Sequence, residues 1–317
     1  MASVYGRYNA VSPAPANNMK VDLIPLWRTA WRKMVAFRTV SQKKLEGPLT
    51  PEALIARIAA IQKEAAQSSD IHAKTAAMWK MESLGVTFAK HAPPGATLDS
   101  PELPAEACPI AHVGMGAGSV EVSEFDPDRI SRMIDSLAHR HYRLFGYESL
   151  GAMLGVYEKA TPRVMLGLKP LNRPPDAPFI QAFPPEVQRL IAHGYGRLLY
   201  FNSKDIRSTL RNIMKRQFLQ PAAAVQGMAF GYTMVNHNEL DTVLETGDGL
   251  PDPALVKAFK AGLVYALAFW EWTTPGFLPT LRFSSPRASE LVAIAREEIA
   301  SARQHGALRP FVVERLS

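Results

Sequence analysis

Gln226-Gly-Met-Ala-Phe-Gly-Tyr-Thr-Met234 carries no charge, begins five residues after Pro221 and continues into Val235 without a break. A helical stretch that is apolar on every side is buried all round rather than laid on a surface. Two further stretches repeat its pattern: His193-Gly-Tyr-Gly-Arg-Leu-Leu-Tyr-Phe201 and Ala261-Gly-Leu-Val-Tyr-Ala-Leu-Ala-Phe269. Aligned without gaps, each has Gly second (Gly194, Gly227, Gly262) and an apolar residue ninth. A fourth copy, Glu148-Ser-Leu-Gly-Ala-Met-Leu-Gly-Val156, has Ser149 in the second place. The second places lie 45, 33 and 35 residues apart (194−149, 227−194, 262−227). Stacked helical pairs produce spacings in this range. The expected fold is therefore all-α: stacked helical pairs, α-solenoid-like, with inner helices rich in small residues. Gly and Ala let inner helices approach closely, and Tyr, Phe and Met fill the volume between layers. A glycine inside a helix costs roughly 1 kcal/mol relative to Ala, so several of them imply tight packing or a ligand surface.

Outward from these copies, the chain divides into a basic extension (1–44), a first helical half (45–161), a Pro-rich linker or crossing (162–185) and a second helical half (186–317). In the extension, 23–39 predicts an amphipathic helix with Trp27, Trp31 and Met34 on one face and Arg28, Arg32 and Lys33 mostly elsewhere. Thr50, Pro51 and Glu52 start a second helix, and His72–Leu84 forms a third. Asp126-Pro127 opens another. Outer helices are expected at Asp205–Lys215 and Pro251–Lys257, with a break at Gly247-Asp-Gly249, and a last helix at Ser289–Gln304. His112–Val122 is the one candidate strand or hairpin.

The 317 residues suffice for one large or two ordinary domains. An apolar fraction of 47% with 21% charged residues is that of a soluble globular protein. A lone cysteine, Cys108, forms no intramolecular disulfide and no multi-thiolate zinc site, which points to a cytoplasmic setting. No signal peptide is expected, and no apolar run reaches the ~20 residues a membrane span needs. Residues 1–44 hold eight basic residues and one acid, a balance of +7 equal to the formal charge of the whole chain. The rest is neutral, so no nucleic-acid-coating role is expected.

The first place of the copies reads Glu148, His193, Gln226, Ala261. Stacked in register, Glu148, His193 and Gln226 would line one inner surface, as an acid/base pair or as the polar end of an apolar groove. Alternatively, each is a satisfied buried group that fixes helix register. His237 and Glu271, at the ends of the third and fourth copies, are further candidates at a common end of the stack, or else helix-end caps. An enzyme would use His193 or His237 as acid/base, with Glu148. Gly227 and Gly231 would line the ligand surface. No repeated Glu-x-x-His marks a metal site. Neither His139/His141 nor Cys108/His112 makes a convincing ligand pair. Gly114-Met-Gly-Ala-Gly118 does not fit a dinucleotide loop. Nothing names a cofactor.

Phe145-Gly-Tyr-Glu-Ser-Leu-Gly-Ala-Met-Leu-Gly155 and His193–Phe201 resemble a bacterial family of unknown function associated with enediyne polyketide biosynthesis. The resemblance spans roughly residues 125–275, and Glu148, Gly194, Gly196 and Arg197 match its phrases. Ser149, where Gly is expected, and the 162–185 segment depart from it. It implies natural-product biosynthesis and the handling of a long hydrophobic polyketide-like molecule, and it carries over no catalytic residues. The expected function is binding, with or without conversion, of such a small molecule through Gln226, Gly194, Gly196, Arg197, Gly227, Gly231 and Glu271. The alternative is a non-catalytic helical scaffold for a partner protein, a pathway enzyme or an acidic carrier domain. Peripheral membrane contact through 23–39 is a further expectation, set against docking of the Trp face on the body with Arg and Lys solvated.

Overall fold

A computed structural model describes residues 24–41, 50–159, 164 and 169–310. The described residues form α-helices, two 3-10 turns and no strand. Prolines and short polar side chains decide where the helices start, because proline needs no N–H partner in the first turn. Thr50 Oγ1 caps α2 (Pro51–Gln67) by accepting from the Ala53 N–H, and Asp126 caps α5 (Pro127–Leu137) by accepting from the Arg129 N–H. Asp252 and Ser285 do the same for α12 (Pro253–Thr273) and α13 (Pro286–Gln304). The other helices, in chain order, are α1 (Leu26–Ser41), α3 (Ile71–His91), α4 (Cys108–Ser123) and α6 (Arg143–Glu158). They are followed by α7 (Asp176–Gln181), α8 (Pro185–Asn202), α9 (Ile206–Met214), α10 (Pro221–Asn236) and α11 (Leu240–Asp248).

Six helices, α3, α4, α6, α8, α10 and α12, form the inner layer, each packed on the next, and the shorter α5, α9 and α11 bridge them from outside. The repeat is a physical register. A Cβ placed on the second residue of a copy would strike the carbonyl of the first residue of the preceding one. Such a Cβ lies 1.9 Å from the Glu148 oxygen at Gly194, 1.7 Å from that of His193 at Gly227, and 2.1 Å from that of Gln226 at Gly262. Gly114 meets the Glu82 carbonyl in the same way, at 1.9 Å. The pattern therefore extends upstream by two copies, beginning at Glu82 in α3 and Val113 in α4. A carbonyl and a Cβ cannot share that space, so only a bare backbone permits these crossings.

Along each neighbouring pair, partner numbers rise together: Gly114 meets Glu82 and Gly118 meets Val86, while Gly194 meets Glu148 and Gly155 meets Leu198. Neighbouring inner helices thus run in the same sense, and the outer helices with their loops return the chain. Glycine-lined crossings of this kind turn each helix by roughly 40–50° relative to the last. Three such steps sum to roughly 120–150°, enough to set α12 in the opposite sense to α6. Tyr265 of α12 reaches Glu148 of α6 while Phe269, further on, packs on Phe145, which is earlier in α6. Trp272 Nε1 donates to the Ala105 carbonyl (2.9 Å) and Lys74 Nζ to the Pro275 carbonyl (2.5 Å), closing the end of α12 onto the starts of α4 and α3.

Several expectations change. His112–Val122 is helical, the inner part of α4. Pro251–Lys257 is not an outer helix: α11 has that role, and Pro253 opens the inner α12. The helix begun at His72 runs on to His91. The helices before and after the Pro-rich segment, α6 and α8, pack directly on each other, and buried side chains of both belong to one continuous core. In the second half of that segment Asp176 pairs with Arg173 and accepts from Tyr195 Oη (3.1 Å), and Arg216, which donates to the same hydroxyl, pairs with Glu158 at 2.5 Å. By length and composition α12 alone among the described helices is apolar enough to cross a membrane, and most of its residues are buried in the core.

Docking of α1 is the reverse of the expected one. Arg28 and Arg32 pair with Glu239 at 2.9 and 2.6 Å, and Arg32 also donates to Asn236. Lys33 Nζ donates to the Tyr200 and Ser203 carbonyls and lies 3.7 Å from the Tyr200 ring centroid. The basic face is spent on the body, and Trp27 and Trp31 face outward. Phe37 and Arg38 lie outside the described side chains.

Candidate functional site

The inner helices present two rows of side chains, one from the first place of each copy and one from the fifth, a helical turn later on the same face. The first row is Glu82, Val113, Glu148, His193, Gln226 and Ala261. The fifth is Val86, Ala117, Ala152, Arg197, Phe230 and Tyr265. Glu148, His193 and Arg197, predicted as neighbours or as matches to one phrase, do come together. Arg197 Nη1 lies 3.0 Å and His193 Nδ1 3.2 Å from Glu148 Oε1, and Tyr265 Oη donates to Glu148 Oε2 at 3.2 Å. Aromatic rings close the space behind them. His193 sits 5.4 Å from Tyr265 and 5.6 Å from Phe230 between centroids, and the Arg197 guanidinium lies 5.5 Å from the Phe230 ring.

Glu148 and Tyr265 are tuned by this setting. Burial pushes the Glu148 carboxyl upward, but the charges of His193 and Arg197, with hydrogen bonds from His193 and Tyr265, outweigh it and hold the group below its ordinary value. Glu148 is therefore an ionised acceptor at neutral pH. Burial, then the Glu148 charge, drives the Tyr265 hydroxyl well above 10, so it stays a donor.

Glu82 was missed by sequence reasoning. It is partly exposed as a residue, yet burial dominates its carboxyl and raises it from 4.5 to about 7, with Arg197 pulling down and Glu148 pushing up. A carboxyl that exchanges its proton near neutrality can serve as acid or base. A signal was present: Glu82-Ser-Leu-Gly85 and Glu148-Ser-Leu-Gly151 are the same tetrapeptide. Their glycines sit alike too: an added Cβ would fall 2.1 Å from the Ala111 carbonyl oxygen at Gly85 and 1.8 Å from that of Ile191 at Gly151, each two residues before the first place of the next copy.

Gln226 holds the next rung beyond His193, buried, its Nε2 without a hydrogen-bond partner. Gly194, Gly196 and Gly227, expected on the ligand surface, instead lie inside helix crossings, where an added Cβ would fall 1.7–1.9 Å from a backbone oxygen. Gly231 is looser, an added Cβ meeting side chains and a carbonyl at 3.3 Å, but it too faces α8. A Leu at Gly227 would therefore disrupt folding before it could block a ligand.

His237 and Glu271 are not brought to the Glu148 centre. His237 Nδ1 lies 3.0 Å from the Met234 carbonyl, its ring packs 4.9 Å from Trp270, and burial holds it down at about 4. Glu271 accepts from the Gly276 and Leu278 N–H groups and so caps the turn after α12. His112 bridges the Cys108 carbonyl and the His139 N–H (2.7 and 2.8 Å). The Cys108 thiol is pushed up to about 12 by burial, then by Glu106 and Asp99. Among the described residues no three His, Cys, Asp or Glu side chains gather as a metal cluster would.

The fold and site define a class: an all-α stack of glycine-registered helices around a buried Glu–His–Arg–Tyr centre, with a titratable carboxyl at its edge. Comparison with protein families, with curated proteins and with solved structures finds no match to this chain.

Proposed function

We propose that this protein binds a hydrophobic small molecule with a polar end on the inner face of the stack, in a natural-product pathway of the polyketide kind. The observation that carries this reading is the change along the fifth row. Val86, Ala117 and Ala152 are small and partly exposed beside Glu82 and Arg197, whereas Phe230 and Tyr265 are large and buried. A shallow apolar strip ending at an ionisable carboxyl and a guanidinium is what an apolar ligand with a hydroxyl, carbonyl or carboxylic acid end requires. The polyketide pathway rests on the resemblance at Glu148, Gly194, Gly196 and Arg197. Conversion, where it occurs, would use Glu82 as the proton carrier in place of His193 or His237.

Native and denatured masses of protein purified without added ligand, followed by solvent extraction, test the reading. So does titration with retinol and retinoic acid as polyene probes. A copurifying apolar compound, or probe binding lost in a folded Ala152→Phe variant, is expected. A clean apo mass with no probe binding, or binding indifferent to Ala152→Phe, sinks it. The second reading, a scaffold for a partner protein or carrier domain, is favoured by the complete burial of His193 and Tyr265, which suits a structural centre.

A further inference from the structure

The inverted docking of α1 leaves an apolar stripe facing solvent. Trp27 is 70% and Trp31 60% exposed, and Met34 40%. These residues fall at i, i+4 and i+7, so they form one line along the helix. Exposed single apolar residues are ordinary, but two adjacent outward tryptophans on a helix whose opposite side is pinned by ion pairs mark an interaction surface. The pins are specific: Arg28 and Arg32 on Glu239, Arg32 on Asn236, and Lys33 buried over Tyr200. Thr29, on the docked side, is buried. The helix cannot roll its tryptophans inward without breaking all of these contacts.

Charge decides among the occupants. Residues 1–44 carry eight basic residues and one acid. Arg28, Arg32 and Lys33 are engaged on the body, and the other five basic residues against Asp22 leave +4 on the segment; a second copy seated on this stripe would bring two such charges together, and the repulsion opposes that pairing. A zwitterionic or anionic bilayer offers tryptophan the headgroup layer it prefers, and anionic lipid adds attraction for the basic segment, about 1 kcal/mol per cation near the surface. We propose that α1 holds this protein to an anionic membrane surface, with Trp27 and Trp31 seated among the headgroups and the stacked body on the solvent side. This mode needs no membrane span and does not depend on the proposed ligand.

Co-sedimentation of the full chain with phosphatidylcholine vesicles, with and without phosphatidylserine, tests the proposal. Binding to the serine-containing vesicles is expected, falling with added salt. In the Trp27→Ala/Trp31→Ala variant it should drop by at least ~10-fold while the helical circular dichroism stays unchanged, since both rings are outside the core. Wild type left in the supernatant overturns the proposal, as does equal binding by the variant or equal binding to both vesicle types. Sedimentation of the free protein supplies the last check: a dimer that dissociates in the double variant assigns the stripe to a second copy and overturns the membrane reading.

Discussion

Replacing Glu82 with Gln should stabilise the protein at pH 8 and change little at pH 4. The carboxyl has an ordinary value of 4.5, and its folded setting lifts it to about 7. Between those values the folded chain keeps a proton that the unfolded chain has released. The unfolded state then binds fewer protons, so stability falls as pH rises through the window and levels off above about 7. At about 1.4 kcal/mol per pKa unit, the full span is on the order of 3 kcal/mol, and solvent reaching the partly exposed side chain trims it to about 2. Gln mimics the protonated acid in shape and hydrogen bonding, so the variant should lack this slope. The assay is urea unfolding of both proteins at several pH values from 4 to 8, taken as a difference so that other titrating groups cancel. Parallel curves would mean that Glu82 titrates as an ordinary surface acid. A variant less stable at pH 8 would refute the reasoning more deeply, because the Glu82 carboxylate would then be a net stabilising partner of Arg197.

Gly227→Ala should cost about 3 kcal/mol or more, since its Cβ meets a carbonyl at 1.7 Å, whereas Gly231→Ala, with neighbours at 3.3 Å, should change stability by less than about 1; thermal melts of both check the contrast. Arg197→Met should cost about 3–5 kcal/mol by stranding the buried Glu148 carboxylate, and adding Glu148→Gln should recover most of it, as a double-mutant cycle would show. His237, held at about 4 against an ordinary 6.5, is neutral when folded. Its contribution is complete above 6.5 and drains away as pH falls toward 4, so His237→Phe, which keeps a ring against Trp270, should flatten the acid limb of a urea-midpoint profile.

The inner helices were legible because glycine and an apolar residue recur at fixed places in copies whose loops differ. Two copies escaped, those of α3 and α4, and for the one in α4 the reason is physical. Gly114, Gly116 and Gly118 alternate like the residues of a strand. In α4, however, Gly114 and Gly118 face the Glu82 and Val86 carbonyls of α3, while Gly116 faces the Gly146 carbonyl of α6. An inner helix has two close neighbours, and two interleaved four-residue spacings look like a period of two. Tyr195 between Gly194 and Gly196 shows the same arrangement, disguised less by its aromatic neighbours. The orientation of α1 was not legible at all. Trp and Arg/Lys stripes have equal helical spacing, and what decided between them, Glu239 and Tyr200, lies well over 150 residues away in sequence.

The site follows from how the copies diverge within a register they share. Glycine at the second place makes four of the five crossings alike, and Gly116 against the Gly146 carbonyl makes the fifth, so the first and fifth places fall on one face whatever they hold. Three early copies put Val86, Ala117 and Ala152 in the fifth place, and three late ones put Arg197, Phe230 and Tyr265 there. Early helices therefore leave the face shallow, and late helices fill it. The accumulated twist then returns Tyr265 to Glu148, three helices back, which seals the filled half with a hydrogen bond. Glu148 is affordable as a buried carboxylate because that closure delivers a hydroxyl to one oxygen while α8 delivers a cation to the other. Glu82, in the same place two copies earlier, receives neither within hydrogen-bonding reach. Identical tetrapeptides thus yield an ionised structural anchor in one helix and a carboxyl poised near neutrality in another, and the difference lies in what the twist of the stack carries to each.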